Sequence, residues 1–239
     1  MKFLLHSDTH SFEDKVKLPK NWKPDIVLGA GDITTRGQIF QIEHYIKWLS
    51  EIDFNLCCVF IAGNHDLSFD PTRSLSWEYN IVKDILYTLD RNDRIHYLQN
   101  SDITINDIKI WGSPVSPWFF GNHWAFNKHR GREIMEVWNT IPDDIEILIT
   151  HGPVKGMVDT VEEGDSVGCE MLAERIKSLP NLKMVISGHI HEAHGHHTDE
   201  RGILYVNASV LNRRYEVVNK PILVEKIDNK YIVIDNIND

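Results

Sequence analysis

Side chains able to bind metal fall in short blocks along the chain, most of them flanked by glycine. They are Asp8 and His10, Asp32, Asn64 with His65 and Asp66, His151, and His189 with His191. Carboxylate, carboxamide and imidazole are the groups that hold divalent cations of the first transition row without help from thiolate. Seven of these residues form a candidate ligand set: Asp8, His10, Asp32, Asn64, His151, His189 and His191. Seven ligands are more than one tetrahedral ion needs. They suit two ions about 3.5–4 Å apart that share a bridging group. Asp8 and His10 are two residues apart, as are His189 and His191. In extended chain such residues point to one side, so each pair can grip one ion or straddle two.

The composition agrees with imidazole and carboxylate chemistry. Histidine is abundant, at 13 of 239 residues, whereas the three cysteines include the neighbours Cys57 and Cys58 and form no CxxC pair. A disulfide framework or a thiolate zinc site is therefore not expected. Lys and Arg total 25 against 35 Asp and Glu, a formal charge of -10. That balance argues against binding long duplex nucleic acid, whose affinity comes mainly from basic side chains. It leaves room for a small phosphate ester at a local positive centre. The N-terminal apolar run, Phe3-Leu4-Leu5, is too short for a membrane span or a signal peptide. No membrane association and a cytoplasmic location are the expectations; the sequence does not specify an oligomeric state.

The elements that must position the ligands are short apolar runs. Phe3–Leu5, Ile26–Leu28, Leu56–Ala62, Ile145–Ile149 and Met184–Ile186 read as strands buried on both faces. Each is followed within a few residues by a block of candidate ligands, which places the ligands at C-terminal strand ends, where open α/β sheets bind. Helical spacing lies between them: Ile39, Ile42, Ile46 and Leu49; Ile81, Ile85 and Leu89; Leu172, Ile176 and Leu179. Two hairpins are predicted, one turning at Asn106-Asp107 and one at Asp228-Asn229-Lys230. The order implies a layered α/β fold with mixed sheets, with no composition shift to divide residues 1–239 into two domains.

Asp-x-His, Gly-Asp, Gly-Asn-His-Asp, His-Gly and Gly-His-x-His, in that order from residue 8 to residue 191, resemble the signature of the calcineurin-like metallophosphoesterases. Asp8-Thr9-His10-Ser11, the run from Gly63 to Asp70, Pro117-Trp118-Phe119, His151-Gly152-Pro153 and Asn207-Ala208-Ser209 resemble the metallophosphoesterase-domain-containing subgroup known from vertebrate brain. The resemblance implies a single-domain αββα sandwich of two mixed β-sheets flanked by helices. It implies two divalent ions, manganese first, with iron or zinc as alternatives. Asp8, His10 and His191 would hold the first ion, Asn64, His151 and His189 the second, and Asp32 both. His65 would face the phosphate with Asn64 and stabilise or protonate the leaving oxygen, and Asp66 would orient His65 through its other ring nitrogen. The brain relatives have glycine at the position of His189 and glutamate at that of Asp66, so the weakened activity expected of them does not carry over.

The expected function is hydrolysis of small phosphodiesters by a water activated between the ions, with cyclic nucleotides, including 2′,3′-cyclic ones, as the substrate class. The alternatives are a phosphomonoesterase, a nuclease of the same superfamily, or a nucleotide-binding scaffold with residual turnover. Six aromatic residues between Trp111 and Phe126 form either a wall for a nucleobase or a core beneath a loop. Trp118 and Trp124 are the expected exposed members, and His123 and Arg130 are further candidates for substrate contact. His194, His196 and His197 read as a solvated loop or strand edge, with a further metal site as the alternative.

Overall fold

The structure is a computed structural model that describes residues 1–91 and 93–234. Residues 92 and 235–239, which complete the expected 1–239 domain, lie outside the described residues.

Fourteen strands occur among the described residues: β1 Lys2–His6, β2 Ile26–Ala30, β3 Cys57–Ile61, β4 Ile95–Tyr97, β5 Ser101–Ile105, β6 Ile108–Ser113, β7 Ser116–Pro117, β8 Asn127–Lys128, β9 Ile147–Thr150, β10 Met184–Ser187, β11 Gly195–Thr198, β12 Leu204–Asn207, β13 Ile222–Ile227 and β14 Lys230–Val233. The α-helices are α1 Ile39–Glu51, α2 Ser76–Asp90, α3 Arg132–Trp138 and α4 Glu170–Ile176. One six-stranded sheet has the order β14-β13-β1-β2-β3-β4 and the other β11-β12-β10-β9-β6-β5. The central strands run parallel and the pairs β1–β13, β13–β14, β5–β6 and β11–β12 antiparallel. Both sheets are therefore mixed, as the hairpins predict. Each turn has two residues at positive φ, Asn106-Asp107 and Asp228-Asn229, which is the backbone that a two-residue hairpin favours.

The strands alternate between two cores. Phe3, Leu5, Ile26, Leu28, Val59 and Ile61 face Ile110, Ile147, Ile149, Met184 and Ile186 between the sheets. Leu4, Val27, Cys58, Leu148 and Val185 point outward into apolar packing with the helices. Successive side chains of a strand point to opposite faces, so a strand covered on both sides must be apolar throughout. Burying each large aliphatic side chain contributes about 1.5–3 kcal/mol. This explains why the parallel strands read as unbroken apolar runs and why their polar residues appear only where the strands end.

Two helical readings shift. On α2 the buried residue is Val82, with Leu86 and Leu89 partly buried against the core, while Ile81 is exposed. The apolar stripe is thus one residue out of phase with Ile81–Ile85. The α4 helix ends at Ile176, and Leu179 is buried just beyond it. Strand β12, which pairs in parallel with β10, was not anticipated, because Leu204–Asn207 is short and carries no ligand. Among the described residues no helix is long and apolar enough to cross a membrane.

Candidate metal centre

The ligand-bearing blocks begin where β1, β2, β3, β9 and β10 stop, and the chain there leaves extended geometry abruptly. Asp8, His10, Asp32 and His189 have φ of 54°, 42°, 52° and 67°. Residues other than glycine rarely adopt such angles, and each costs about 1–3 kcal/mol when held there. Backbone hydrogen bonds between neighbouring loops hold them: Asp8 N donates to Gly31 O at 2.9 Å and His10 N to Asp32 O at 3.1 Å. Two glycines are required by close approach. A Cβ on Gly63 would collide with Asp32 Oδ1, and one on Gly188 with Asp8 Oδ2 and Ser7 Oγ.

The candidate ligands converge. Single ligand atoms of Asp8, His10 and His191 lie within 4.8 Å of one another, and so do those of Asp32, His151 and His189 and those of His10, Asp32 and His65. Asp32 links the groups: its Oδ2 is 3.6 Å from His10 Nε2 and 3.3 Å from His151 Nε2. Asp8 Oδ1 is 3.3 Å from His191 Nε2, and Asn64 Oδ1 is 2.9 Å from His151 Nε2. Asp8, His10, Asp32, Asn64 and His151 are almost wholly buried.

The histidine tautomers test whether a cation fits. Nδ1 of His10, His151 and His191 lies 3.0, 2.9 and 3.1 Å from the backbone oxygens of Thr34, Ala30 and Asn212. A carbonyl only accepts, so Nδ1 carries the proton and Nε2 of a neutral ring keeps its lone pair. Those lone pairs face carboxylate and carboxamide oxygens, acceptor against acceptor. A cation between them resolves the conflict, and His10 Nε2 is buried without any hydrogen-bond partner. The donor set therefore suits divalent transition metals.

The charges of the centre agree. Burial opposes ionisation of Asp32, but His151, His65 and His10 outweigh it and hold its carboxyl well below the usual range. Asp8 is held down to about 2 against the same burial, chiefly by His191. His151 is pushed up to about 9 although burial opposes it, because Asp32 and Asp8 attract positive charge. Burial dominates at His10 and His189, which fall to about 4 and about 3. Ionised carboxylates with neutral His10 and His189 are the protonation state that metal binding requires, and the proton that Asp32 and Asp8 hold on His151 is one that a bound cation would displace.

The role expected for Asp66 needs correction. His65 Nδ1 donates to Thr35 O at 2.8 Å, so a backbone carbonyl orients the ring. The Asp66 carboxylate instead accepts from Ile33 N, Thr34 N, Thr34 Oγ1 and Gly63 N at 2.7–3.2 Å. It fastens the loop after β2 to the loop after β3. His65 itself lies at the mouth of the centre, its backbone N–H donating to Asp32 Oδ1 at 2.8 Å.

A cleft of about 220 Å³ opens on this centre, lined by Asp32, Asn64, His65, Phe119, Trp124, His189, His191, Glu192, Arg213 and Tyr215. Of the aromatic segment, Phe119 and Trp124 reach it, stacked with centroids 6.0 Å apart. Trp111 is buried against Trp138. Trp118 donates from Nε1 to Gly121 O and packs on His129. His123 packs on Trp124 without lining the cleft. Arg130 is engaged by Glu170 and the carbonyls of Val167 and Gly168. Sequence reasoning missed Glu192, Arg213 and Tyr215 as cleft residues. Tyr215 follows no strand end rich in ligands, and its one local signal is a polar turn, Asn212-Arg213-Arg214. His196 and His197 lie on the edge strand β11, and no candidate ligand group among the described residues includes them or His194. A larger hollow of about 760 Å³ beside β11 and β13 contains none of the ligand set.

Comparison with known proteins completes the assignment. The family model described as calcineurin-like phosphoesterase matches residues 1–193. The human protein Metallophosphoesterase domain-containing protein 1 is 34% identical over 240 residues, covering 94% of this chain and 70% of that protein. A dimetal phosphatase from Danio rerio superposes with a TM-score of 0.56 at 12% identity, covering 98% of both chains. An archaeal phosphodiesterase gives a TM-score of 0.51 at 16% identity, covering 98% of this chain and 99% of that one. The two structural likenesses carry the αββα fold, and the sequence match carries the family. This chain belongs to the calcineurin-like phosphoesterases.

Proposed function

We propose that the protein is a dimetal phosphodiesterase acting on small diesters, with cyclic nucleotides, including 2′,3′-cyclic ones, as the substrate class. The observation that carries this reading is the meeting of two ligand groups at Asp32, with acceptor atoms facing one another across it. Asp8, His10 and His191 would hold one ion, Asn64, His151 and His189 the other, and Asp32 both. When bound, two divalent ions supply a Lewis acid for the phosphoryl oxygens and a water of lowered pKa. Their +4 exceeds the -2 of Asp8 and Asp32, so the cleft attracts an anion although the chain carries -10 overall.

His65 acts on the leaving side. Thr35 O fixes Nδ1 as a donor, so in the imidazolium form the transferable proton of His65 sits on Nε2, which gives it to the departing ester oxygen. A water that has given one proton to solvent brings its oxygen to phosphorus, the P–O ester bond breaks, and its electron pair leaves on the ester oxygen that His65 protonates. Asn64 lines the cleft beside His65 and supplies a carboxamide to the phosphate. Phe119 and Trp124 offer a face on which a base can stack.

The test uses manganese-loaded protein with bis(p-nitrophenyl) phosphate, p-nitrophenyl phosphate and 2′,3′- and 3′,5′-cyclic nucleotides. The expected result is faster turnover of diesters than of monoesters, abolished by Asp32→Ala. Faster monoester hydrolysis, or no turnover with manganese, iron or zinc, would contradict the proposal.

A further inference from the structure

We infer that Tyr215 and Trp124 form a clamp about His65 that selects a leaving arm bearing a planar ring, such as the base carried by the ribose of a cyclic nucleotide, so that specificity rests on the departing arm of the ester. This inference rests on the proposed phosphodiesterase reading and on the leaving-side role of His65. The His65 ring centroid lies 4.5 Å from that of Trp124 and 6.4 Å from that of Tyr215. Tyr215 also sits 5.0 Å from His10 and 5.2 Å from His191, on the side of Asp8, while Trp124 continues through Phe119 to His189. The two aromatic walls therefore approach from opposite groups of the centre and flank the residue that meets the leaving oxygen. All of these side chains except His10 and Asp8 line the same small cleft.

The backbone places Tyr215 there at a cost. Its φ is 61°, an angle that is an outlier for a bulky residue and that persists only where neighbouring contacts impose it. A closed turn imposes it. Tyr215 N donates to Asn212 O at 2.9 Å, Asn212 N donates to Glu216 O at 3.0 Å, and Asn212 Oδ1 accepts from Arg214 N and Glu216 N. Asn212 O also accepts from His191 Nδ1. One turn thus both orients a candidate ligand and presents the tyrosine ring over the centre. On the other wall, Ala125 N donates to Asn64 O and Phe126 N to Asp70 Oδ2, which fixes the backbone directly after Trp124. The Trp124 indole N–H is buried without a hydrogen-bond partner. Tyr215 is 44% exposed, and its ring packs against His10, His65 and His191 of the centre.

The step itself is the hydrolysis written above: water oxygen joins phosphorus, and the arm leaves with its oxygen, its electron pair and the proton from His65. The clamp adds a stacked seat for that arm. The test compares methyl phenyl phosphate with methyl hexafluoroisopropyl phosphate. These diesters keep the same methyl group and release alcohols of similar acidity, one planar and one not. Manganese-loaded wild type should prefer the phenyl ester by roughly tenfold or more in kcat/KM, the scale of one aromatic stack. Tyr215→Leu and Trp124→Leu should each erase most of that preference through KM for the phenyl ester alone, with metal content unchanged. Tyr215→Phe should keep it. An undiminished preference in Tyr215→Leu, or an equal loss for both esters, would overturn the clamp. If wild type hydrolyses neither ester, turnover of bis(p-nitrophenyl) phosphate decides the phosphodiesterase reading on its own. The clamp is then judged by calorimetric binding of phenylphosphonate against methylphosphonate. Tighter phenylphosphonate binding that Tyr215→Leu abolishes would support it, and equal binding would overturn it.

Discussion

Two regions of the molecule are rich in histidine, and they differ in what faces the rings. At the strand ends, His10, His151 and His191 each give Nδ1 to a backbone carbonyl and turn Nε2 toward Asp32, Asn64 or Asp8. On β11, His196 and His197 occupy successive positions of an edge strand, so their side chains point to opposite faces. No carboxylate joins them in a ligand group among the described residues. A third case, His6, is buried on β1 with Nε2 2.8 Å from the Tyr45 hydroxyl and with Trp48 against its ring. Histidine alone therefore marks nothing. What sets the centre apart is carboxylates across from the rings and, at His10, His151 and His191, a carbonyl behind the ring.

Predictions can break this contrast. Asp32→Ala should have the largest effect, lowering diester turnover by about 10³-fold or more and reducing bound metal from two ions per chain, read by elemental analysis beside the rate. Metal content left at two would separate Asp32 from the centre. His65→Ala should lower kcat by about 10²–10⁴-fold, the range for a general acid, with both ions retained. Loss of metal in that variant would move His65 into the ligand set. Asp66→Ala removes the acceptor of four hydrogen bonds from buried donors. It should cost about 3 kcal/mol or more of unfolding free energy, measured by chemical denaturation, and should leave the His65 Nδ1 bond to Thr35 intact.

His6 gives a smaller, pH-dependent effect. Burial pushes its pKa down to about 3, so the folded protein keeps the ring neutral while the unfolded chain takes up a proton near pH 6.5. Stability from this residue is complete above pH 6.5 and is lost as the pH falls from there toward 3. Denaturant midpoints in a pH series should fall less steeply in His6→Gln than in wild type, both without metal. His197→Ala should have the smallest effect, with activity and metal content changed by less than about twofold, as for other exposed substitutions. A larger change would erase the distinction between the two histidine regions.

Most of the centre was legible because each ligand block directly follows an apolar run, as Asp8 follows β1 and His189 follows β10. Apolar periodicity ends where the chain must turn, and the residues at such ends are polar because the strands have no polar positions inside. The layered fold followed from the same runs and from two hairpins. The part that was not legible depends on tertiary direction. Asp66 stands next to His65, yet its carboxylate points to the Ile33–Thr34 backbone, and adjacency in sequence did not reveal that. Tyr215 reaches the cleft through a strained turn that no periodicity encodes. The α2 stripe was misphased because Ile81 and Val82 are both apolar, and only packing against α1 and β4 decides which one is buried.

The central claim is that seven side chains hold a pair of ions joined by Asp32, and anomalous diffraction from crystals soaked in manganese tests it most directly. The account predicts two peaks about 3.5–4 Å apart, one beside His191 and one beside His189, with the Asp32 carboxylate between them. An empty map at this position, or a single peak on His194, His196 and His197, would contradict it.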